Sequence, residues 1–558
     1  MKRYLAFVSC VLLALLSFVL ALAWPLWWAV FVPMLGLSLL GLADMLQTPS
    51  TLRRNYPVLA HFRYGLESIG PEIRQYFIQS DKEEVPFSRL ERTLVYQRAK
   101  NLNDVVPFGT QMNVYSTEYE WINHSLAAVH NPSHDFRVLV GGTRCTQKYS
   151  ASVFNISAMS FGALSANAIR ALNAGAKLGN FYHDTGEGSI SSYHREGGGD
   201  LVLQIGSGYF GCRDAQGRFD EARFAHTAAL EQVKMIEVKL SQGAKPGHGG
   251  MLPGSKVNAE IAATRGIPEG VDCISPPNHS AFSTPVGLLE FIDKLRTLSG
   301  GKPVGFKLAV GHPWEWFGIA KAMQETGLLP DFIVVDGAEG GTGAAPPEFS
   351  NSIGVPMNEA LLLVHNTLVG LNLRDQVRIG AAGKITSAFG IARTIALGAD
   401  WVNAGRGFMF SLGCIQALSC HTDKCPTGIA TQDHSRWKHL DPTNKSHRVY
   451  SYHENTLKAL RDLLGAAGLM DPSQLGPEHI IRRITPYEVR SFAALYPFLK
   501  PGDLVNGRHV RHILFRTFWD LARSDSFAPP PNVAELQNRK FLRTARFGHG
   551  ESLYPAHH

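Results

Sequence analysis

Across its 558 residues the chain has no block of five or more consecutive basic side chains, and its net charge of +7 is spread along its length. A phosphate backbone needs clustered cations, so nucleic acid is not an expected partner. The pattern G-x-x-x-x-G-K-[S/T] is also missing, which removes a P-loop nucleotide site. Cysteine is scarce, seven in all, and no two stand in the C-x2-C spacing that puts two thiolates on one zinc knuckle. From Tyr4 to Ala43 there is no charged residue at all. The whole chain, 18% charged and 45% hydrophobic, has the composition of a globular enzyme carrying extra apolar sequence.

That uncharged run is long enough for two spans of about 20 residues each across a bilayer core of roughly 30 Å. "WPLWW", Trp24 to Trp28, interrupts it with a proline and three indoles, which favour the headgroup zone of a turn. Lys2 and Arg3 precede the first span and Arg53 and Arg54 follow the second, so the positive-inside rule predicts a hairpin with both ends in the cytoplasm. The expected location is the cytoplasmic membrane, with the rest of the chain facing the cytoplasm. A signal peptide cleaved after "ALA", Ala21 to Ala23, competes with this reading but leaves the second apolar segment unexplained. Cytoplasmic thiols stay reduced.

Four regions follow: a two-span anchor over 1–50, a mixed aromatic subdomain over 51–149, a β/α region over 150–433 and a helical extension over 434–558. In the third, short apolar runs ending in glycine and polar residues alternate with helix-like stretches: "FNISAMSFG", "FYHDTGEGS", "MIEVKLSQG", "DCISPP", "VGFKLAVG", "FIVVDGAEGGTG", "VRIGAAGKI" and "WVNAGRG". Eight such strands predict an α/β fold, a (β/α)8 TIM barrel, with "LVLQIGS" as an extra strand in an insertion. Chemistry in that fold gathers at the C-terminal ends of the strands, where Glu187, Lys239, Lys245, Lys307 and the glycine clusters fall. "HENTLKALRDLLGAAGLM" is an amphipathic helix of the extension.

"GSGYFG", Gly206 to Gly211, matches G-x-G-x-x-G, but the turn sequence "CRDAQGRFD" follows where a pyrophosphate-binding helix should begin. The late clusters "AAGKI" and "NAGRG" are better phosphate candidates, through the amides of Gly383 and Gly405 and the guanidinium of Arg406; tight β/α turns would use the same glycines. Lys307, inside "VGFKLAV", needs an anionic partner if buried. Either a flavin's N1 and O2 edge or a structural glutamate would serve.

Three of the seven cysteines, Cys414, Cys420 and Cys425, fall within "GCIQALSCHTDKCPTGIATQD" at C-x5-C-x4-C. Three thiolates on one loop can ligate iron and sulfide, with Pro426 and Gly428 fixing the turn after the last. A Cys3His zinc site with His421, or three unconnected buried cysteines, fits the spacing too.

The run from "ISAMSFGALS" through "GEG" (Gly186 to Gly188), "QGAKPGHGGMLPGSKV", "ISPPNHS" and "GGTGAAP" to the cysteine segment is collinear with, and resembles, the FMN-binding domain of glutamate synthase. The resemblance implies an FMN held by Met159, Ser160, Gln204, Lys239, Lys307, Gly340, Gly341, Thr342, Gly383, Gly405 and Arg406. It also implies a [3Fe-4S] cluster on Cys414, Cys420 and Cys425, and reduction of 2-iminoglutarate, formed from 2-oxoglutarate and ammonia, to glutamate. Lys245 and Arg265 would clamp the dicarboxylate and Glu187 would sit beside the incoming ammonia or imine.

Two departures stand out. "GHGGM" replaces the family's "GEGGQ", so His248 and Met251 stand where a carboxylate and a substrate-binding amide are kept, and "GEGSIS" replaces "GEGGED". A thioether cannot donate a hydrogen bond, so a different oxo, hydroxy or amino acid is the alternative substrate, with membrane-linked electron transfer a further role. Cys10 lies inside an apolar span and offers no amidotransferase nucleophile, so ammonia is expected from solution or a partner. Electrons are expected from a ferredoxin, a reductase or a membrane donor. A zinc-knuckle membrane scaffold without catalysis is the third reading.

Overall fold

In the computed structural model, residues 2–47, 49–78, 85–102, 104–508 and 512–530 are described, and the chain divides into two compact units, 1–89 and 90–558. The uncharged run forms two helices, α1 (Leu5–Ala23) and α2 (Trp28–Leu46), each long and apolar enough to cross a bilayer. Trp24 is extended and Pro25 opens a short 3-10 turn at its first position, where the amide hydrogen that proline lacks has no helical acceptor to lose; a second proline, Pro33, lies inside α2. Phe18 of α1 meets Trp28 and Phe31 of α2 with ring centroids 6.1 and 5.2 Å apart. Ser17, buried between them, returns its hydroxyl to the Leu13 carbonyl at 2.6 Å, so its side-chain donor is satisfied within the helix.

The second unit is built on a closed barrel of eight parallel strands: β1 (Phe154–Ile156), β2 (His183–Asp184), β3 (Leu201–Ile205), β4 (Val233–Lys239), β5 (Val304–Leu308), β6 (Phe332–Asp336), β7 (Arg378–Ala382) and β8 (Trp401–Ala404). Each pairs with its neighbours in sequence, and β8 closes on β1 through Val402 opposite Phe154. Helices cross between the strands. Ser165 caps α3 (Ala166–Gly179) by accepting the Ala168 amide, and Asn180 ends it in the left-handed conformation. α4 (Ala259–Arg265) lies in the long β4–β5 connection, α5 (Arg406–Leu412) follows β8, and α6 (Pro442–Ala466) packs on α3 at Gly175, where a Cβ would come 2.5 Å from Val449 Cγ1.

Two expectations about individual strands are corrected. "LVLQIGS" is the third barrel strand, not an insertion: all five residues of β3 are buried, as a parallel strand covered on both faces requires. "DCISPP" is outside the barrel. Its Cys273–Ile274 pairs antiparallel with Met251–Leu252, and Ile274 is 63% exposed. The C-terminal extension also contains β structure: Ile480–Thr485 pairs with Glu488–Ser491 on one side and Glu120–Ile122 on the other.

Candidate functional site

At the C-terminal end of the barrel, side chains from four strands form one buried polar network. Gln204 on β3 stands opposite Glu237 on β4 and donates its amide to the Glu237 carboxylate and, at 3.3 Å, to Asp184 of β2. Lys307 of β5 places Nζ 3.6 Å from Glu237 Oε2. All four side chains are buried. Burial, reinforced by Glu237, raises the Asp184 carboxyl well above its ordinary range. Burial works against the Lys307 charge, but Glu237, Asp184 and Asp336 outweigh it and its ammonium is held more firmly than usual.

A second cluster lies beside the first. Lys239, the last residue of β4, puts Nζ 3.2 Å from Glu187 Oε1, on the loop after β2. Burial disfavours the Glu187 carboxylate, yet Lys239, Arg265 and Lys245 together bring its pKa below the ordinary value. Glycines make room for it: a Cβ at Gly206 would come 2.5 Å from Glu187 Oε2, and one at Gly250 would collide with Oε1. Lys245 is buried, donates to the Ala344 carbonyl at 3.0 Å and is lowered to about 8 by burial and by the neighbouring charge of Lys239. Arg265, at the end of α4, donates to the Phe161 carbonyl at 3.2 Å and Ser160 Oγ at 3.4 Å, lies over the Phe210 ring, and leaves its buried Nε without a hydrogen-bond partner. Met159 and Ser160 follow β1, where the Met159 amide donates to the Asp184 carbonyl at 3.1 Å.

A third group gathers around Arg406. Its guanidinium donates to the Glu339 carbonyl, and a Cβ at Gly341 would lie 2.8 Å from its Nε. Burial lowers it to about 10, with Asp336, Glu339 and Glu91 acting the other way. Lys384, after Gly383, has its pKa lowered by burial and then by Arg406, so two cations meet where the ends of β6, β7 and β8 converge. Gly340 closes the turn back to Gly337, Thr342 is exposed, and Gly405 caps α5. "GSGYFG" forms turns, and the next helix begins only at Glu221.

The cysteine loop connects α5 to the helix His434–Trp437. Gln416, Leu418 and Asp423 have positive φ, so the backbone turns sharply three times along the loop. None of the three cysteines is in a disulfide. Burial pushes the Cys414 thiol up to about 12, with Cys420 and Cys425 adding to the effect. The Cys425 thiol is lowered: burial opposes its charge, and hydrogen bonds from the Thr427 hydroxyl and the amides of Ala430, Thr427 and Ile429 outweigh that. Among the described residues no group of three or more His, Cys, Asp or Glu side chains is placed to hold a metal ion. The donor set itself, three thiols with amide and hydroxyl hydrogens directed at sulfur, is the chemistry of iron–sulfur ligation. The loop is tied to the flank of the barrel site, since Ser165 donates to the Gly428 carbonyl at 2.7 Å and Gln432 to the Gly162 and Leu164 carbonyls at 3.1 and 2.9 Å.

Four members of these networks escape a reading of the sequence: Asp184, Glu237, Lys256 and His279. Glu237 is a charge inside an apolar strand, the same signal that singles out Lys307, whereas Asp184 ends the two-residue polar strand His183–Asp184. Lys256 donates to the Ala430 carbonyl at 2.9 Å, and burial lowers its pKa against the pull of Asp423, Cys420 and Cys425. His279 contacts the Lys239 carbonyl at 2.9 Å and Tyr209 Oη at 3.1 Å, which steadies the end of β4. No spacing links these two to their partners. His248 contacts the carbonyl of Gly249, and Met251 is partly exposed beside the Gly250 backbone that receives Glu187.

Residues 127–470 match the conserved region in glutamate synthase. The chain is 37% identical over 513 residues to the glutamate synthase large subunit-like protein YerD of Bacillus subtilis (strain 168), covering 85% of this chain and 96% of that one. It is also 37% identical over 316 residues to the archaeal glutamate synthase [NADPH] of Methanocaldococcus jannaschii, covering 56% of this chain and 58% of that relative. Among solved structures, flavocytochrome b2 (A198G:L230A) with pyruvate bound is similar at 13% identity and a TM-score of 0.40, over 76% of this chain and 85% of that one. On the strength of the sequence matches, the chain belongs to the glutamate synthase family of oxidoreductases.

Proposed function

We propose that this chain converts 2-oxoglutarate and ammonia, through 2-iminoglutarate, to glutamate, with FMN at the barrel mouth and a [3Fe-4S] cluster on Cys414, Cys420 and Cys425. The observation that carries the reading is the buried set of three cations, Lys239, Lys245 and Arg265, acting on the one carboxylate of Glu187 in a chain of this family. A dicarboxylate substrate needs fixed cations and an ammonia-derived nitrogen needs an ionised acceptor; the cluster of side chains supplies both. When bound, FMN supplies the hydride that reduces an imine carbon, and the cluster supplies electrons to it.

The roles of the chain's own residues follow from their charges. Lys245 and Arg265 bind and orient the carboxylates of the substrate. Glu187, kept ionised by Lys239, accepts hydrogen bonds from ammonia or the imine nitrogen and holds a proton during condensation. Lys307 would offer a fixed positive charge to the flavin's pyrimidine edge, and Gln204, held by Glu237 and Asp184, would offer it a hydrogen-bonding amide. Arg406, with the amides of Gly341, Gly383 and Gly405, offers the phosphate its counter-charge and donors. The helices α1 and α2 anchor the chain in the cytoplasmic membrane, with the barrel on the cytoplasmic side, and a ferredoxin, a reductase or a membrane donor supplies electrons.

A second reading keeps both cofactors and changes the acid. It is favoured by Met251, whose partly exposed thioether follows the Gly250 backbone at Glu187 and cannot donate a hydrogen bond to a carboxylate. The experiment is to mix the anaerobically reduced protein with 2-oxoglutarate, with ammonium, and with both. Glutamate formed only with both supports the first reading. Reoxidation by another oxo acid in place of 2-oxoglutarate selects the second.

A further inference from the structure

The first unit holds a third long helix, Leu59–Ile73, whose surface is not that of a soluble helix. Leu59, Phe62, Leu66, Ile69 and Ile73 recur at steps of three and four and are exposed by 38% to 69%. At the helical period they make one stripe roughly 100° wide. Tyr76, Phe77 and Ile78 extend the exposed apolar surface for another turn. Polar residues border the stripe on the other side: Arg63, paired with Glu67 at 2.7 Å, and Arg74.

The start of this helix is pinned to one end of the hairpin. Asp44, near the end of α2, accepts the Val58 amide at 3.0 Å and contacts the His61 ring at 2.9 Å. Gly41 of α2 lets Val58 approach so closely that a Cβ there would meet Val58 Cγ2 at 2.9 Å. Arg3, ahead of α1, donates to Asn55 at 3.1 Å, so the same segment reaches the start of the first span. Tyr64 Oη lies 3.2 Å from Ser50 Oγ, with the Arg53 guanidinium over its ring. These contacts fix residues 55–64 at the level where both spans end, which in a bilayer is the headgroup zone.

We infer that Leu59–Ile78 lies in the membrane interface as a third lipid contact, with its apolar stripe at the acyl boundary and Arg63 and Arg74 among the headgroups. An amphipathic helix with a cationic border, continuous with two spanning helices, is built for that surface. The inference rests on the reading of α1 and α2 as a membrane anchor.

The test uses the full chain in vesicles of phosphatidylethanolamine and phosphatidylglycerol, photolabelled with a lipid-soluble diazirine and, in parallel, with a water-soluble one, with adducts located by mass spectrometry. Lipid-phase adducts are expected on Phe62, Leu66, Ile69 and Ile73 as well as within 5–46. The variant Phe62→Glu/Ile69→Glu is expected to lose those over 59–78 while keeping those over 5–46. Lipid-phase adducts on 5–46 with only aqueous adducts on 59–78, or with neither because protein covers the stripe, would overturn the inference and leave the anchor standing. Absence of lipid-phase adducts from 5–46 would overturn both.

Discussion

Glu187 and Lys239 form an ion pair, Oε1 to Nζ 3.2 Å, that bridges the loop after β2 and the last residue of β4 across the intervening strand β3. The pair fixes a carboxylate at the barrel mouth in its ionised state although burial opposes the charge. Its position is set as much by what is absent around it: Gly206 and Gly250 leave the volume the carboxylate occupies.

Gly250→Ala is therefore expected to displace the Glu187 carboxylate without touching the core of the barrel. The expected result is a folded protein that retains flavin and loses about 100-fold in turnover, the cost of misplacing a reacting group by roughly 1 Å. Steady-state rates beside the flavin absorbance check it; unchanged turnover would remove Glu187 from the reaction.

Lys245 gives the account a pH dependence. Its folded pKa of about 8 means that it is charged below that pH and loses its proton as pH rises through it. If its ammonium clamps a substrate carboxylate, KM for 2-oxoglutarate is flat below about 8 and rises above it. Lys245→Arg keeps its charge and is expected to move the rise to higher pH. Lys245→Ala removes a charged hydrogen bond of about 1.5–3 kcal/mol, roughly a 10- to 150-fold increase in KM at neutral pH. A pH profile of KM in the three proteins decides it.

Lys307 and Glu237 are expected to be inseparable for stability. Both are buried, so Lys307→Met leaves Glu237 and Asp184 facing each other with no cation between them. A loss of about 3–5 kcal/mol is expected, together with loss of bound flavin. Denaturant unfolding measures the first, and flavin content after gel filtration the second. The double variant Lys307→Met/Glu237→Gln is expected to recover part of the stability but not the flavin.

On the cysteine loop, Cys420→Ser is expected to abolish bound iron and sulfide while most of the flavin remains, because the hydrogen bonds that tie the loop to the barrel side are made at Gly428, Ala430 and Gln432 and not by the Cys420 side chain. Iron and sulfide analysis of the anaerobically purified variant checks this; unchanged iron would contradict the ligand set.

Much of this architecture is legible in the chain itself. Two uncharged runs broken by Pro25 give α1 and α2, and charged residues at the ends of apolar runs mark the barrel mouth. What local pattern conceals is which runs belong to the barrel. β3 and the Cys273–Ile274 strand are both short and apolar, and they are told apart only by burial on both faces, which depends on the helices packed outside. The long-range partners are hidden for the same reason. Gln204 meets Glu237, and Lys256 reaches Ala430, through closure of the barrel, and no sequence spacing encodes those distances. The β structure of the C-terminal extension likewise takes an edge partner from Glu120–Ile122, hundreds of residues earlier.

The most direct measurement is a single turnover: the anaerobic protein, reduced to completion, is mixed with 2-oxoglutarate and ammonium while the flavin absorbance is followed and glutamate is quantified. The account predicts flavin reoxidation with glutamate formed in stoichiometric amount, and neither when 2-oxoglutarate or ammonium is omitted. A flavin that stays reduced with both present, or reoxidises without forming glutamate, would contradict it.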